Sequence, residues 1–310
     1  MEPNKKPKIA VVGPGAMGLL FAGRLSAHAD VTLLGNNPER ISELQLNGVQ
    51  IREGESLLEC RSSAVLNGTY TEPMDLVLLF TKAYLTEQAL VANRSVIGEN
   101  TYVLTLQNGM GHADVLSKFA DPSHILIGTT EEGSSRENAY TVNHTGRGKT
   151  TFGFVTTVSD AVKQDAERFA ALFDASGFPC TVSDDISFAV WNKLMINASS
   201  SVLCAVLQKP QGYIVENPSA WEICKSLITE VCEAANAEGY HFDQDEQINR
   251  LHNHLRNAPN GFPSLAADLK NGRKTEVDFI SGSVVRAAEK KGLQVPYETL
   301  MVQLVHALEQ

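Results

Sequence analysis

An apolar run over residues 9–12 gives way to Gly13-Pro14-Gly15-Ala16-Met17-Gly18, and then to Leu19, Leu20, Phe21 and Leu25. That order predicts a strand, a glycine turn and an amphipathic helix. Further short apolar runs predict strands over 31–34, 75–80, 102–106 and 125–128, with helices over 38–46, 86–96 and 111–119 between them. Residues 48–60 read as a hairpin turning at Glu53-Gly54-Glu55, and the Thr- and Gly-rich stretch 140–154 as more strands. Strands alternating with helices predict a parallel, doubly wound sheet of the Rossmann-like kind. From Ser187 onward the pattern becomes helical, over 191–207, 218–238, 244–256 and 275–290. We expect a dinucleotide-binding α/β domain over 1–185 and an all-α domain over 186–310, divided near Asp184-Asp185. No low-complexity linker or internal repeat separates them, so a cleft between the two is the expected substrate address.

The glycine turn carries the first chemical expectation. Gly13 permits the turn, Gly15 lets a pyrophosphate approach the backbone, and Gly18 lets helix and strand pack closely. The amides opening the helix, at Ala16 and Met17, would face the diphosphate. NAD-preferring sites hold an acid at the tip of the second strand for the ribose 2′-hydroxyl. Here the tip reads Gly35-Asn36-Asn37-Pro38-Glu39-Arg40, with no acid before the helix start. The asparagine amides and Arg40 suit a 2′-phosphate, so NADPH is the expected cofactor, although a solvated helix position also explains Arg40.

Composition narrows the classes. A length of 310 residues suits two domains, and a net charge of −10 argues against nucleic acid or an anionic membrane as a general partner. No apolar run approaches the ~18 residues of a membrane span, and the basic start of the chain lacks the h-region of a signal peptide. Five cysteines without CxxC spacing suit reduced thiols, which points to the cytoplasm and away from a zinc site. His252 and His254 are two apart, so a helix turns them to different faces and no metal is expected. A homodimer through the helical part and a monomer both remain open.

Four clusters offer chemistry. Lys193, Asn197 and Ser201 recur every four residues, a polar stripe on an otherwise apolar helix. Burial lowers a lysine's pKa and suits it to proton transfer near neutrality, while an exposed lysine on a polar face is the plainer alternative. Gln107-Asn108-Gly109-Met110-Gly111 and Phe80-Thr81-Lys82 follow strands at the carboxyl edge, where ligands bind in doubly wound sheets. Asn-Gly is also a common turn, and Lys82 can equally face water. Ser264 and Asp268 sit one helical turn apart, and Thr275-Glu276-Val277-Asp278 follows. Capping explains Ser264 and Thr275 as well as function does, and Glu276 would then occupy a first helical turn.

Taken in order along nearly the whole chain, these elements resemble the ketopantoate reductase (2-dehydropantoate 2-reductase) family. The combination of Gln107-Asn108-Gly109-Met110-Gly111 with the late Ser264-x-x-x-Asp268 and Thr275-Glu276-Val277-Asp278 block is its most specific part; the Lys193-x-x-x-Asn197 helix is similar to that of β-hydroxyacid dehydrogenases too. The resemblance implies hydride transfer from NADPH to the C2 carbonyl of a small 2-oxoacid, ketopantoate, giving pantoate for pantothenate and coenzyme A synthesis. It implies Lys193 as general acid and stabiliser of the developing alkoxide, and Glu276 as partner of the substrate hydroxyl and orienter of Lys193. Asn197 and Ser264 would orient the substrate, Ser264 at its carboxylate. Asn108 would stand between nicotinamide ribose and substrate, Glu276 also within the cofactor's reach, and Lys82 would hold the nicotinamide end or attract the 2-oxoacid.

Two departures qualify the resemblance. Asn36-Asn37 stand where many members carry an arginine for the 2′-phosphate. Ser201 and Gln211 stand where members often carry further asparagines; both still hydrogen-bond, and they mark where a pocket suited to a different 2-oxoacid would differ. The alternatives are a reductase of another branched 2-oxo or 3-hydroxy acid, and a non-catalytic nucleotide sensor, which would need neither Lys193 nor Glu276.

Overall fold

The computed structural model describes residues 6–309; the basic start of the chain, residues 1–5, lies outside them. The chain divides into two compact units, one of Met1–Gln107 with His112–Ile186, the other of Asn108–Gly111 with Ser187–Gln310.

The first unit runs β1 (Lys8–Val12), α1 (Ala16–Leu25), β2 (Asp30–Gly35), α2 (Pro38–Asn47), β3 (Val49–Glu53), β4 (Ser56–Cys60), β5 (Ser63–Leu66) and β6 (Leu76–Leu79). It continues with α3 (Thr86–Ala92), β7 (Tyr102–Thr105), α4 (His112–Leu116), β8 (Ile125–Thr130), β9 (Gly133–Arg136), β10 (Thr141–Gly146), β11 (Thr150–Gly153), α5 (Asp160–Ala175) and β12 (Cys180–Val182).

The large sheet is ordered β12-β11-β8-β7-β6-β1-β2-β5. From β5 to β8 every pairing is parallel, and chain order reverses between β1 and β6, as in a dinucleotide-binding sheet. β11 departs from the parallel expectation by running antiparallel to β8. β6 and β7 are buried along their whole length, which is why they read as unbroken apolar runs. Phe21 of α1 stacks on Phe178 with ring centroids 4.1 Å apart and meets Phe80 at 4.8 Å, fixing α1 to this core.

The expected hairpin over 48–60 is β3–β4, and it joins β10 and β9 in a second sheet ordered β4-β3-β10-β9. That sheet packs on α1, where a Cβ at Gly23 would stand 2.9 Å from the Ile51 side chain. A cluster of polar side chains holds it there: the His144 ring lies between Glu53 and Glu132, and Arg24 of α1 pairs with Glu53.

The second unit is helical throughout: α6 (Ile186–Ile196), a π turn (Asn197–Ser201), α7 (Val202–Leu207), α8 (Gln211–Glu216), α9 (Pro218–Ala237), α10 (Gln244–Asn257), α11 (Ser264–Lys270), α12 (Ser281–Lys290) and α13 (Pro296–Leu308). Ile186–Leu207 corrects one expectation. It is long and apolar enough to cross a membrane by length and composition, having Lys193 as its sole formal charge, yet 67% of the qualifying window is buried within the fold. That degree of burial is what a core helix has.

The helix expected over 275–290 begins later. The Phe279 and Ile280 amides bond to the Glu276 carbonyl in a separate turn, and α12 starts at Ser281. Thr275 does not cap α12, whose N-cap is Ile280; its hydroxyl donates to Glu309 Oε1 at 2.6 Å and accepts from the Val277 amide at 3.2 Å, capping the separate turn that begins at Glu276. Ser264 is not a cap either: Pro263 occupies the N-cap position, and Ser264 is the first residue of α11. The helix expected over 111–119 is shortened to His112–Leu116.

Candidate active site

In the first unit, three glycines of the turn after β1 have separate structural roles. Gly13 has φ +99°, and a Cβ there would lie 2.7 Å from the Thr81 amide nitrogen. At Gly18 a Cβ would lie 2.1 Å from the Gly13 carbonyl oxygen. Both positions are closed by backbone, so only glycine fits. At Gly15 nothing stands within 4 Å of the Cβ position. No side chain caps the first turn of α1, so the amides of Ala16 and Met17 open onto that space. A diphosphate fits this arrangement of open backbone and positive helix end.

At the end of β2, Asn37 is committed to capping α2, its Oδ1 accepting from the Arg40 amide at 2.8 Å. Asn36 is exposed and Arg40 partly buried in the first turn of α2. Burial lowers the Arg40 pKa, and the positive charge of Arg136 lowers it further.

The ends of β6 and β7 are joined by a buried amide. Gln107 Nε2 donates to the Thr81 carbonyl at 2.6 Å, and its Oε1 accepts from the Thr105 hydroxyl at 2.8 Å. Thr86 closes the cluster, 2.9 Å from the same nitrogen. Lys82 follows Thr81 directly, partly buried, and opens the turn Ala83–Leu85. Gln107 therefore sets the strand ends from which Lys82 and Asn108 depart.

Asn108–Gly111 belongs to the helical unit. The Met110 amide donates to the Phe279 carbonyl at 2.9 Å. Gly109, at φ +92°, presses so closely on Phe279 that a Cβ would stand 1.9 Å from the same oxygen. Glu276, three residues before Phe279, opens the turn thus engaged. Other contacts brace it: Arg286 donates to the Asp278 carbonyl at 2.9 Å, and His306 Nε2 lies 3.1 Å from Asp278 Oδ1. Asn108 and Glu276 are thereby carried by two segments locked together within one unit.

Lys193 lies on α6 and Asn197 opens the π turn that follows it, both partly buried, and Ser201, which ends that turn, is buried. The four-residue stripe is modified by the π turn, for which the sequence supplies a cause. The Ser199 hydroxyl donates to the Met195 carbonyl and that of Ser200 to the Ile196 carbonyl, competing with the helical amides. π turns in α-helices are frequent at functional sites. Trp191 Nε1 donates to Glu238 Oε2 at 3.1 Å, and Asn192 bonds Arg250, so the Lys193 helix is held on both sides.

Gln211 starts α8, and its amide donates to the Gly261 carbonyl at 2.9 Å. Its side-chain oxygen lies 2.5 Å from a Cβ position at Gly261, three residues before the exposed Ser264. Asp268, buried, pairs with Arg273 at 3.1 Å and steadies the chain leading to Glu276.

The structure thus brings Asn108 and Glu276 onto one braced element, and sets Gln211 beside the segment leading to Ser264. Thr81, Thr86 and Gln107 as a clamp, and Arg136 near Arg40, lay outside the sequence reading. Neither group has a spacing signal, because each is assembled from separate strands and helices.

A Rossmann-like unit with an open glycine turn, and a helical unit carrying Lys193, Asn197 and Glu276, define a nicotinamide-dependent oxidoreductase built from two units. Comparison with known proteins narrows that class. The family profile described as Ketopantoate reductase PanE/ApbA matches residues 9–156, and that of its C-terminal part matches 185–309. The chain belongs to this family. It is 30% identical over 301 residues to the 2-dehydropantoate 2-reductase of Halobacterium salinarum, covering 96% of this chain and 97% of the relative. Among solved structures it resembles D-mandelate dehydrogenase with NADH and anilino(oxo)acetate, at 29% identity, TM-score 0.90 and coverage of 97% and 98%. It also resembles a PanE/ApbA family ketopantoate reductase from Ralstonia eutropha, at 27% identity, TM-score 0.85 and coverage of 97% and 98%.

Proposed function

We propose that this protein reduces ketopantoate to pantoate with NADPH, residues 1–185 serving the cofactor and 186–310 the substrate. The observation that carries the reading is the Met110–Phe279 lock, which fixes the Asn108 and Glu276 segments in the unit that bears Lys193. A non-catalytic nucleotide sensor has no use for that braced set.

NADPH, when bound, supplies the hydride that reduces the C2 carbonyl. Gly13, Gly15 and Gly18 with the amides of Ala16 and Met17 hold the diphosphate, while Asn36 and Arg40 face the adenosine ribose. Lys82, Asn108 and Glu276 serve the nicotinamide end. Lys193 hydrogen-bonds the ketone oxygen, stabilises the charge that grows on it and delivers the proton that completes the alcohol. Solvent then returns a proton to the lysine. Glu276 accepts from the substrate hydroxyl and orients the lysine. Asn197, Ser201, Gln211 and Ser264 fix the carboxylate and the branched end, so that the carbonyl presents one face to the cofactor.

A second reading has its own support. The likeness to a D-mandelate dehydrogenase bound to NADH favours another 2-oxoacid, with NADH as a usable cofactor. Steady-state turnover with ketopantoate, 2-oxoisovalerate, pyruvate and phenylglyoxylate, each with NADPH and NADH, separates the two. The proposal expects kcat/KM for ketopantoate with NADPH to exceed every other pair by at least about tenfold. A higher value for phenylglyoxylate or 2-oxoisovalerate would favour the second reading.

A further inference from the structure

Arg40 and Arg136 come from distant parts of the first unit, yet the segments that carry them flank the same glycine turn: a Cβ at Gly35, where β2 ends, would stand 2.7 Å from the Pro14 ring, and β9 meets Met17 through Ser134. Arg40 is set by the Asn37 cap at the start of α2, immediately after β2. Arg136 ends β9, the edge strand of the second sheet. That strand packs on α1, and the Ser134 hydroxyl lies 3.0 Å from the sulfur of Met17, inside the glycine turn's own helix. Ser134 and Arg136 are two apart on a strand and so share a face. The face that meets Met17 is therefore the face that carries Arg136.

Two neighbouring guanidiniums ordinarily recruit a carboxylate. Among the described residues neither Arg40 nor Arg136 forms an ion pair with one. Glu137, next to Arg136, is taken by Arg52 at 2.9 Å. An unneutralised pair at the end of β2, alongside an open diphosphate turn, matches a dianionic ligand with oxygens for two forked donors.

We propose that Arg136 of β9 and Arg40 of α2 together form the receptor for a phosphate monoester on the cofactor's adenosine ribose, and so set the preference for NADPH over NADH. The inference rests on the NADPH reading above and adds a determinant from the second sheet, outside the segment that follows β2. It also gives that sheet a role in cofactor choice beyond covering α1.

The test is equilibrium binding of NADPH, NADH, 2′,5′-ADP and 5′-AMP to the wild type, Arg136→Gln, Arg136→Glu and Arg40→Gln, by calorimetry or nicotinamide fluorescence. We expect the wild type to favour the ligands bearing the 2′-phosphate. Arg136→Gln should weaken NADPH and 2′,5′-ADP about ten- to a hundredfold, with NADH and 5′-AMP moved by less than about threefold. Arg136→Glu should weaken NADPH more, by charge repulsion, and the salt dependence of NADPH binding should fall in both variants. A wild type that prefers NADPH, with Arg136→Gln weakening all four ligands alike or none, removes Arg136 from the site and leaves the NADPH reading standing. A wild type that binds NADH as tightly as NADPH overturns both. Loss of the folded circular dichroism signal in Arg136→Gln would make the residue structural and also overturn the proposal.

Discussion

Met110 and Phe279, far apart in sequence, are joined by a 2.9 Å backbone hydrogen bond, with Gly109 packed on the same carbonyl oxygen. The bond ties the segment after β7 to the turn that begins at Glu276. A substitution at Gly109 therefore has to move one of two backbones. Gly109→Ala combines a strained φ with a clash of main chain on Cβ, at a cost of roughly 1–3 kcal/mol. We expect turnover to fall at least about tenfold and the melting temperature to drop by about 2–10 °C. NADPH affinity should fall less than turnover, since the glycine turn proposed for the diphosphate is untouched and only the Asn108 and Glu276 contacts proposed for the nicotinamide end are disturbed. Parallel melting and single-turnover measurements check this; wild-type values for both would show that the lock is dispensable.

Gln107 makes the same argument for the strand ends. Gln107→Leu keeps the volume but leaves the Thr81 carbonyl and the Thr105 hydroxyl without their amide partner. Each buried polar group so orphaned costs about 1–3 kcal/mol. The midpoint of urea unfolding should fall accordingly, with unchanged slope.

Glu298 has no exposed surface, and neither carboxyl oxygen has a hydrogen-bond partner among the described residues. Burial, and then the charge of Glu230, raise its pKa well above the ordinary 4.5, with the nearby Ser281 hydroxyl opposing in part. The folded chain thus binds more protons than the unfolded one between those two values. Stability is full below about pH 4.5 and declines as the pH rises towards the folded value. Glu298→Gln mimics the neutral acid and should melt higher than the wild type at about pH 8, with the gap closing towards about pH 4. A constant gap across that range would contradict the buried neutral acid.

All five cysteines are buried. Desolvation pushes the Cys60 thiol up to about 11 and those of Cys180, Cys204 and Cys232 to about 12, with Cys224 raised as well. A disulfide reagent at about pH 8 should label none of them in the folded protein and all of them in denaturant. Rapid labelling of a native thiol would mean that one of these segments opens.

The readable parts of the chain were those with a local cause. The glycine turn, the hairpin at Gly54 and the Lys193 helix each follow from residues close in sequence. Helix α5 also has a regular buried face, Ala166, Phe169, Ala170 and Phe173, but its many charged positions dilute that spacing and it lay outside the predicted elements. The start of α12 was misread because Glu276 to Ile280 closes a turn of its own, braced by Met110 and Arg286, and no periodic pattern encodes that bracing. The π turn depends on serine hydroxyls taking helical carbonyls, a competition hidden by residue type. For the site, Lys193, Asn197 and Glu276 stood out as motifs. Arg136 did not, because its nearness to Arg40 exists only once the second sheet is folded onto α1.

The most direct test of the account is the Lys193→Ala variant, assayed for kcat with ketopantoate and NADPH beside an independent NADPH dissociation constant. Loss of the group that protonates the alkoxide should lower kcat on the order of a hundredfold or more, with the dissociation constant within about threefold of wild type. Near wild-type turnover would contradict the assignment of Lys193 as the acid, and with it the mechanism proposed for this site.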